Sequence, residues 1–332
     1  MQQSPTFVGI DISKETLDIY VVQDNVNKHY TIANQTKTVK KLFTSLMLAH
    51  PLLYIGMENT GYYNFNLYQA LAELELDYYV IAPLHLKKSL GLSRGKNDKI
   101  DARRIATFLD LNLKNLSVYK PPRAILRQLN LLLTIRSQRI KIRKQLGNNK
   151  EQYQYIDGLD NNPLLQADVE LIAHIEQQIK AIELQIQQLI ASDNKLQQQY
   201  KLITSVQGVG KVLGWHLLVR TGEFAAITEP RKLACYAGIA PFEHSSGTSV
   251  RGRTRVSQYA DKGLKTLFHM AAMSSIRLEG DLKDYYQRKV AEGKNKMSTL
   301  NAVRNKIIHR IYAVLKNQRP YQKYLTNPLA MS

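Results

Sequence analysis

Cysteine is nearly absent. The 332 residues include one, which excludes a disulfide framework and any metal site built from several thiolates. Long apolar runs are missing as well, since no stretch approaches the length needed to span a bilayer. The first residues, Met1-Gln-Gln-Ser-Pro5, lack the basic and apolar regions of a signal peptide. We therefore expect a soluble, cytoplasmic protein.

Acidic residues are scarce in the last third of the chain. Residues 201–332 hold 22 Lys and Arg against 8 Asp and Glu, a surplus of +14 within a total net charge of +19. Lys and Arg neutralise phosphates and release condensed counterions, so this surplus predicts a nucleic-acid partner. A basic surface without a specific partner is the alternative interpretation.

Hydrophobic residues make up 44% of the chain, enough to bury two or three separate cores. Residues 1–120 alternate β-rich runs with helical periodicities in the order β-β-β-α-β-α-β-α. This order predicts an α/β domain with a mixed sheet and helices on its faces, the arrangement of an RNase H-like fold. Pro121-Pro122 is expected to end that domain.

Residues 121–200 predict two long helices separated by turn formers at residues 157–163. Apolar residues of the second helix recur at alternating steps of three and four, a heptad seam formed by Ile172, Ile175, Ile179, Ile182, Ile186 and Leu189. We expect an antiparallel coiled-coil hairpin that also serves oligomerisation. The seam would be completed within the chain, by Leu126, Leu129, Leu133 and Ile140, or by another subunit.

Residues 201–332 predict a mainly helical domain that opens with a helix, a turn containing Gly208 and Gly210, and a second helix. In such a helix-hairpin-helix pattern, glycines let backbone N–H groups approach a phosphate, here next to Lys211. Turns of this kind are common, and the basic composition of the domain is what favours nucleic acid. Residues 242–249 are predicted to form a loop.

Four carboxylates stand out by position. Asp11 lies in the apolar first strand, and Glu58 follows the fourth. Asp98 and Asp101 share one face of the first turn of a helix. A buried carboxylate is costly unless a cation compensates its charge, and like charges three residues apart repel. Gathered in the fold, the four would hold two Mg²⁺ ions, although helix capping or a strand-end position explains any one of them alone.

Several motifs together resemble one family. They are Met57-Glu-Asn-Thr-Gly-Tyr62, Lys96-Asn-Asp-Lys-Ile-Asp-Ala102 with Ile105-Ala106, Gly208-Val-Gly210, Leu233-Ala-Cys-Tyr-Ala-Gly-Ile-Ala-Pro241 and Ser246-Gly247. Their types and order resemble the DEDD-type transposases of bacterial insertion sequences, relatives of the Piv DNA invertases with a RuvC-like catalytic domain. The resemblance covers nearly the whole chain.

The resemblance implies a recombinase with a two-part active site. The four acids that bind Mg²⁺ in the family match Asp11, Glu58, Asp98 and Asp101. The serine that attacks DNA, forming a covalent phosphoserine-type link, matches Ser246. The partners implied are donor and target DNA, a structured guide RNA encoded by the element, and a dimer that pairs into a tetramer, with serine and acids from different subunits. Such a protein would be associated with the nucleoid.

Neighbouring residues are weaker candidates for the same roles. Ser245 and Ser249 rank below Ser246 as nucleophile, and His244 is a candidate proton carrier.

Arg251, Arg253 and Arg255 alternate with Gly252 and Thr254, so an extended segment would place all three arginines on one side. The residues predicted to contact nucleic acid are Lys87, Lys88, Arg94, Lys96, Gly208, Gly210, Lys211, Arg251, Arg253, Arg255 and Lys265. Lys265 stands where the family often has Arg and lacks the bidentate geometry of that side chain.

Three other functions compete with this interpretation. A RuvC-like nuclease or junction resolvase would need only the four acids and an activated water. A sugar kinase-like ATPase would explain Val8-Gly-Ile-Asp-Ile-Ser13 but neither the paired helices nor the basic region. A non-catalytic nucleic-acid-bridging protein would need none of the acids.

Overall fold

The computed structural model describes residues 4–24, 26–89, 97–153, 162–246, 250–256 and 259–322. The chain forms two compact units, Met1–Pro121 and Pro122–Ser332. The three domains expected at residues 1–120, 121–200 and 201–332 stay a prediction.

The first unit is built on a five-stranded mixed sheet in the order β3-β2-β1-β4-β5. Its strands are β1 (Thr6–Ile12), β2 (Thr16–Gln23), β3 (Val26–Ala33), β4 (Leu53–Glu58) and β5 (Tyr78–Ile81). β2 is antiparallel to both β1 and β3, whereas β4 is parallel to β1 and β5. The prediction of a mixed α/β sheet is confirmed.

Helices cover both faces of this sheet. They are α1 (Thr36–Ala49), α2 (Phe65–Glu73), α3 (Pro83–Ser89) and α4 (Asp98–Asn112), with a 3-10 turn at Gly61–Asn64. Because side chains alternate along a strand, Val8 and Ile10 pack into a buried cluster with Phe43 and Leu67 of α1 and α2. The order predicted from the sequence contains three helices in this region, and the short helix α3 adds a fourth.

Gly9 faces the opposite side of the sheet, where α4 lies. A Cβ at this position would come within 2.1 Å of the Ala102 carbonyl oxygen and 2.3 Å of the Ala106 backbone nitrogen. Its neighbour in register on β4 is Gly56, whose Cβ would lie 3.1 Å from the side chain of Leu109. The backbone of α4 is therefore in direct contact with β1, and only glycine fits at Gly9.

The second unit is mainly helical. Its helices are α5 (Ala124–Tyr153), α6 (Pro163–Ala191), α7 (Asn194–Ser205), α8 (Lys211–Arg220), α9 (Pro230–Tyr236), α10 (Lys262–Ser275), α11 (Asp281–Ala291) and α12 (Lys296–Asn317). Leu129 of α5, Trp215 of α8 and Ile307 of α12 belong to one buried core.

α5 and α6 run antiparallel. Arg136 donates to Glu183 at 2.7 Å, and Arg143, further along α5, pairs at 3.4 Å with Glu176, further back on α6. Among the seam residues, Ile175, Ile179 and Ile186 are buried. The coiled-coil geometry and the oligomerisation role of these helices stay predictions.

The prediction of a loop at residues 242–249 is wrong in its first half. β6 (Phe242–Ser246) pairs antiparallel with β7 (Val250–Arg255) to form a two-stranded sheet. The segment Glu-His-Ser-Ser has no apolar alternation and low β propensity, so its sequence carries no strand signal. Its conformation follows from the hydrogen bonds that β7 supplies.

No helix in the described part of the chain is both long enough and apolar enough to cross a lipid bilayer.

We expect Gly9→Ala to destabilise the first unit by about 3 kcal/mol, because the added methyl group overlaps backbone atoms of α4 that cannot move independently. Gly56→Ala is the matched control in the neighbouring strand, where the methyl group meets a movable side-chain end. It should cost about 1 kcal/mol or less. Denaturant unfolding of the full chain measures both. Equal losses for the two variants would contradict the close contact at Gly9.

Candidate functional site

Asp11 and Glu58 lie side by side at the ends of two parallel strands. Ile10 of β1 is in register with Met57 of β4, so the next residues of each strand are neighbours. Asp11 is two residues beyond Gly9, and Glu58 two beyond Gly56, so both side chains are on the face covered by α4. Glu58 is the last residue of β4 rather than the first after it.

The first turn of α4 begins next to these strand ends. Asn97 is the N-cap, and its side-chain oxygen accepts from the backbone N–H of Lys99 at 3.0 Å. Helix capping therefore does not explain Asp98, which is exposed. Asp101 precedes Ala102, the residue in contact with Gly9. The contact between helix and sheet thus brings the second acid pair to the corner occupied by the first.

The four carboxylates act on one another electrostatically. Burial, followed by the charges of Asp101, Asp98 and Glu58, raises the pKa of Asp11 to about 6, against the effect of a hydrogen bond from the Ile12 backbone N–H. Burial and the charge of Asp101 also raise the pKa of Glu58. A raised carboxylate pKa with acidic neighbours as part of its cause is typical of acids gathered at a functional site.

Within the described part of the chain, one cation pairs with this cluster: Arg104, one turn further along α4, lies 3.5 Å from Asp101. Among the described residues, no three His, Cys, Asp or Glu side chains are arranged as ligands around a common point. Asp98, Asp101 and Glu58 are thus near enough to raise the pKa of Asp11 without forming a closed ligand cage. Four carboxylates are nevertheless the donor set that Mg²⁺ and Ca²⁺ prefer.

The sequence interpretation missed a fifth acid beside the cluster. Asp18 of β2 is opposite Asp11 in the antiparallel pair. Its carboxylate accepts from Thr31 Oγ1 at 2.9 Å and lies 2.8 Å from His29 Nε2, both on β3. The alternation of Leu17-Asp18-Ile19 indicates an outward carboxylate, but only the strand register puts it next to Asp11.

The predicted nucleophile lies in the second unit. Ser246 is the last residue of β6 and pairs with Val250 at the start of β7, while Ser245 is opposite Arg251. β7 has the extended conformation expected for its alternating arginines. Arg94, Lys96 and Ser249 lie outside the described residues. For a further set of predicted site residues the structure describes the backbone but not the side chain: Lys88, His244, Ser245, Ser246, Arg251, Arg253 and Arg255. Lys87 is exposed on α3.

The glycine turn before α8 has a packing role. Gly208 has a φ of +84°, and a Cβ there would lie 2.0 Å from Ser275 Oγ. A Cβ at Gly210, the N-cap of α8, would meet nothing within 4 Å. Lys211 donates to Glu183 of α6 at 2.6 Å. Gly208 is therefore required for contact with α10, and phosphate binding by this turn stays a prediction.

Lys265 is half-buried in α10. This helix is capped by Asp261, whose side chain accepts from the Leu264 backbone N–H at 2.9 Å. The cap fixes the start of the helix that carries Lys265, and the phosphate contact of Lys265 stays a prediction.

Comparison with known proteins finds similarity along most of the chain. Residues 8–153 match the IS110 DEDD transposase family, and residues 200–287 match the transposase IS116/IS110/IS902 family. The pilin gene-inverting proteins of Moraxella bovis and Moraxella lacunata are each 28% identical over 336 residues, 96% of this chain and 98% of theirs. An uncharacterised protein of insertion element IS110 from Streptomyces coelicolor is 28% identical over 148 residues, 45% of this chain and 35% of its own.

The raised pKa of Asp11 predicts a pH-dependent stability in the absence of divalent metal. The folded protein binds the proton more tightly than the unfolded chain, whose pKa is 3.8. The free energy of unfolding should therefore decrease as the pH rises from about 4 through 6.

Asp11→Asn should remove this decrease and stabilise the metal-free protein at pH 7.5 by about 1–2 kcal/mol, a value reduced for partial solvent screening. Denaturant unfolding in EDTA at several pH values measures it, with Asp24→Asn as a surface control. A variant less stable than the wild type at pH 7.5 would contradict the repulsion.

Proposed function

The chain belongs to the IS110/IS116 family of DEDD transposases, and we propose that it cuts and rejoins DNA through a covalent serine–DNA intermediate. Two models of this family, which match residues 8–153 and residues 200–287, together cover more than half of the chain. The relatives that align along nearly its whole length are named for inverting a pilin gene. Gene inversion is a DNA recombination, which accords with the proposed chemistry.

The observation that carries the proposal is the electrostatic effect that acids of β4 and α4 have on Asp11 of β1. Asp98, Asp101 and Glu58 all raise the pKa of Asp11. The strand order β3-β2-β1-β4-β5, with β2 antiparallel to its neighbours, supports assigning the first unit to the RNase H-like, RuvC-like fold.

Asp11, Glu58, Asp98 and Asp101 would hold the divalent cation, with Mg²⁺, two per site, as the proposed ion. When bound, Mg²⁺ polarises a scissile phosphate, neutralises charge that develops on its oxygens and favours loss of a proton from a nearby hydroxyl. The chain's own part is to supply the carboxylates at one corner of a rigid sheet. The contact of α4 with Gly9 fixes that corner, so little reorganisation is needed when the substrate binds.

Ser246 would act as the nucleophile. Its Oγ attacks the scissile phosphorus and loses its proton, the bond to the leaving sugar oxygen breaks, and that oxygen takes up a proton. One phosphate ester replaces another, so a sugar hydroxyl can reverse the step and join a new strand without ATP. The serine is in the second unit and the acids in the first, and we propose that different subunits of a tetramer contribute them.

A structured guide RNA is the further partner we propose. The +14 surplus of residues 201–332 supports a phosphate-rich partner in addition to DNA. The arginines of β7, at positions 251, 253 and 255, are the proposed contacts, together with Lys87, Lys88, Arg94, Lys96, Lys211 and Lys265.

A metal-dependent nuclease is the second candidate, because the four carboxylates come together within the first unit and a nuclease would need only these acids and a water nucleophile. The test co-expresses the chain with RNA from the DNA that flanks its gene and supplies a labelled target strand with Mg²⁺. We expect a labelled protein–DNA adduct whose attached residue, identified by mass spectrometry, is Ser246.

Ser246→Ala should abolish the adduct, whereas Ser245→Ala, the matched neighbour, should retain it. Asp11→Asn should reduce adduct formation by at least about 100-fold, as for loss of a metal-binding carboxylate. Continued cutting by Ser246→Ala would instead assign the chain as a nuclease. If the wild type forms no adduct and cuts no DNA, and Asp11→Asn binds DNA as the wild type does, the chain is a bridging protein without catalysis.

A further inference from the structure

Aromatic side chains are exposed immediately after Glu58. Tyr62 is 77% exposed and Tyr63 46% exposed, in the 3-10 turn Gly61–Asn64. Aromatic side chains are commonly buried for most of their area, so two adjacent exposed rings on one turn indicate a surface that contacts a ligand or partner. They are four and five residues beyond Glu58, a proposed metal ligand, on the turn that follows the end of β4.

Buried amides hold the turn in place. Asn64 is fully buried, and its Nδ2 donates to the Glu58 carbonyl oxygen at 2.9 Å. Its Oδ1 accepts from the Thr60 backbone N–H at 3.0 Å. The same side chain therefore fixes the end of β4 and the turn that carries the tyrosines.

A second amide connects the turn to the strand of Asp11. Asn34 is 6% exposed, and its Nδ2 donates both to the Ser13 carbonyl oxygen and to the Tyr63 carbonyl oxygen, each at 2.9 Å. Ser13 is two residues beyond Asp11 and precedes Lys14, an exposed cation. The tyrosines are thus anchored to both strands that provide the first acid pair, with a positive charge at the same edge.

We propose that Tyr62 and Tyr63 form a stacking platform for unpaired bases of the DNA strand whose phosphate enters the acidic site. This inference rests on the proposed function, because that function brings a DNA strand to this corner. Bases in a duplex are stacked on each other, so rings outside the duplex can stack only on unpaired ones. Stacking tolerates any base sequence, since every base has a π face.

The rigid backbone is what makes the platform effective. Hydrogen bonds to Asn34 and Asn64 order the turn before DNA arrives, so binding costs little conformational entropy. Lys14 supplies charge for a flanking phosphate, which the four carboxylates would otherwise repel. Together, rings and cation would direct an unpaired strand across the end of β1 towards Asp11.

The test measures how binding depends on bases. A fluorescein-labelled single-stranded 15-mer DNA and the same 15-mer with abasic sites at its centre are titrated with the full chain in EDTA, which prevents cutting. The readout is the ratio of the two dissociation constants. Base-independent contacts elsewhere on the basic chain cancel in that ratio.

The wild type should bind the intact 15-mer about 10-fold or more tightly than the abasic one. Tyr62→Ala/Tyr63→Ala should bring the ratio close to one, because the stacking surface is lost. Tyr62→Phe/Tyr63→Phe keeps the rings and should keep the ratio. Leu48→Ala, which removes an exposed apolar side chain of α1, is the matched control and should leave it unchanged.

Three results would overturn the platform. They are a wild-type ratio near one, an unchanged ratio in the folded double alanine variant, and base dependence with a 15-mer RNA but not with DNA. A double alanine variant that alters the sedimentation of the protein and not the ratio would identify a protein interface instead. Thermal unfolding verifies that each variant is folded.

The proposed function fails by a different result. Base-dependent binding without any protein–DNA adduct under the conditions of the Ser246 experiment would retain the platform and reject the recombinase. An adduct that forms normally while the ratio is one would do the reverse.

Discussion

The contact between the backbone of α4 and β1 at Gly9 determines where the acids of this protein lie. Helices usually pack on sheets through interposed side chains, whereas here a missing side chain lets the helix backbone meet the strand. The helix position is then fixed to within a small fraction of a side-chain length. Its first turn, with Asp98 and Asp101, consequently reaches the ends of the two parallel strands that carry Asp11 and Glu58.

Gathering acids at one corner destabilises the folded protein, because their negative charges repel. Comparison with Glu183, an acid that has cationic partners, shows how an acid can instead stabilise the fold. Glu183 of α6 pairs with Lys211 of α8 and Arg136 of α5. Burial alone would raise the pKa of Glu183, but the hydrogen bonds from these two cations lower it. Among the residues that the structure describes, no such pair of cations meets Asp11, and burial together with its acidic neighbours raises its pKa. An acid with its partners supplied stabilises the fold, while an acid without them is available for a ligand.

The sequence predicts the elements of the first unit well because its strands alternate and its helices keep a regular apolar period. The strand β2 and the helix α1 are examples, since they take the second and fourth places of the predicted order. Sequence periodicity does not show which distant segments pair with each other. β6 depends on hydrogen bonds from β7, and Asp18 becomes a neighbour of Asp11 through strand register alone.

The turn after Glu58 shows the same limit. Its sequence contains two tyrosines, which taken alone would be expected in a core. The deciding residues are Asn34 and Asn64, whose amides replace backbone partners that a turn would otherwise seek in water. Because Asn64 binds the Glu58 carbonyl oxygen and Asn34 that of Ser13, the turn and the ends of both acid-bearing strands form one hydrogen-bonded element. The exposed rings lie outside that element, so their chemistry can vary without moving the carboxylates, and this separation makes a substrate-contacting surface compatible with a fixed acidic site.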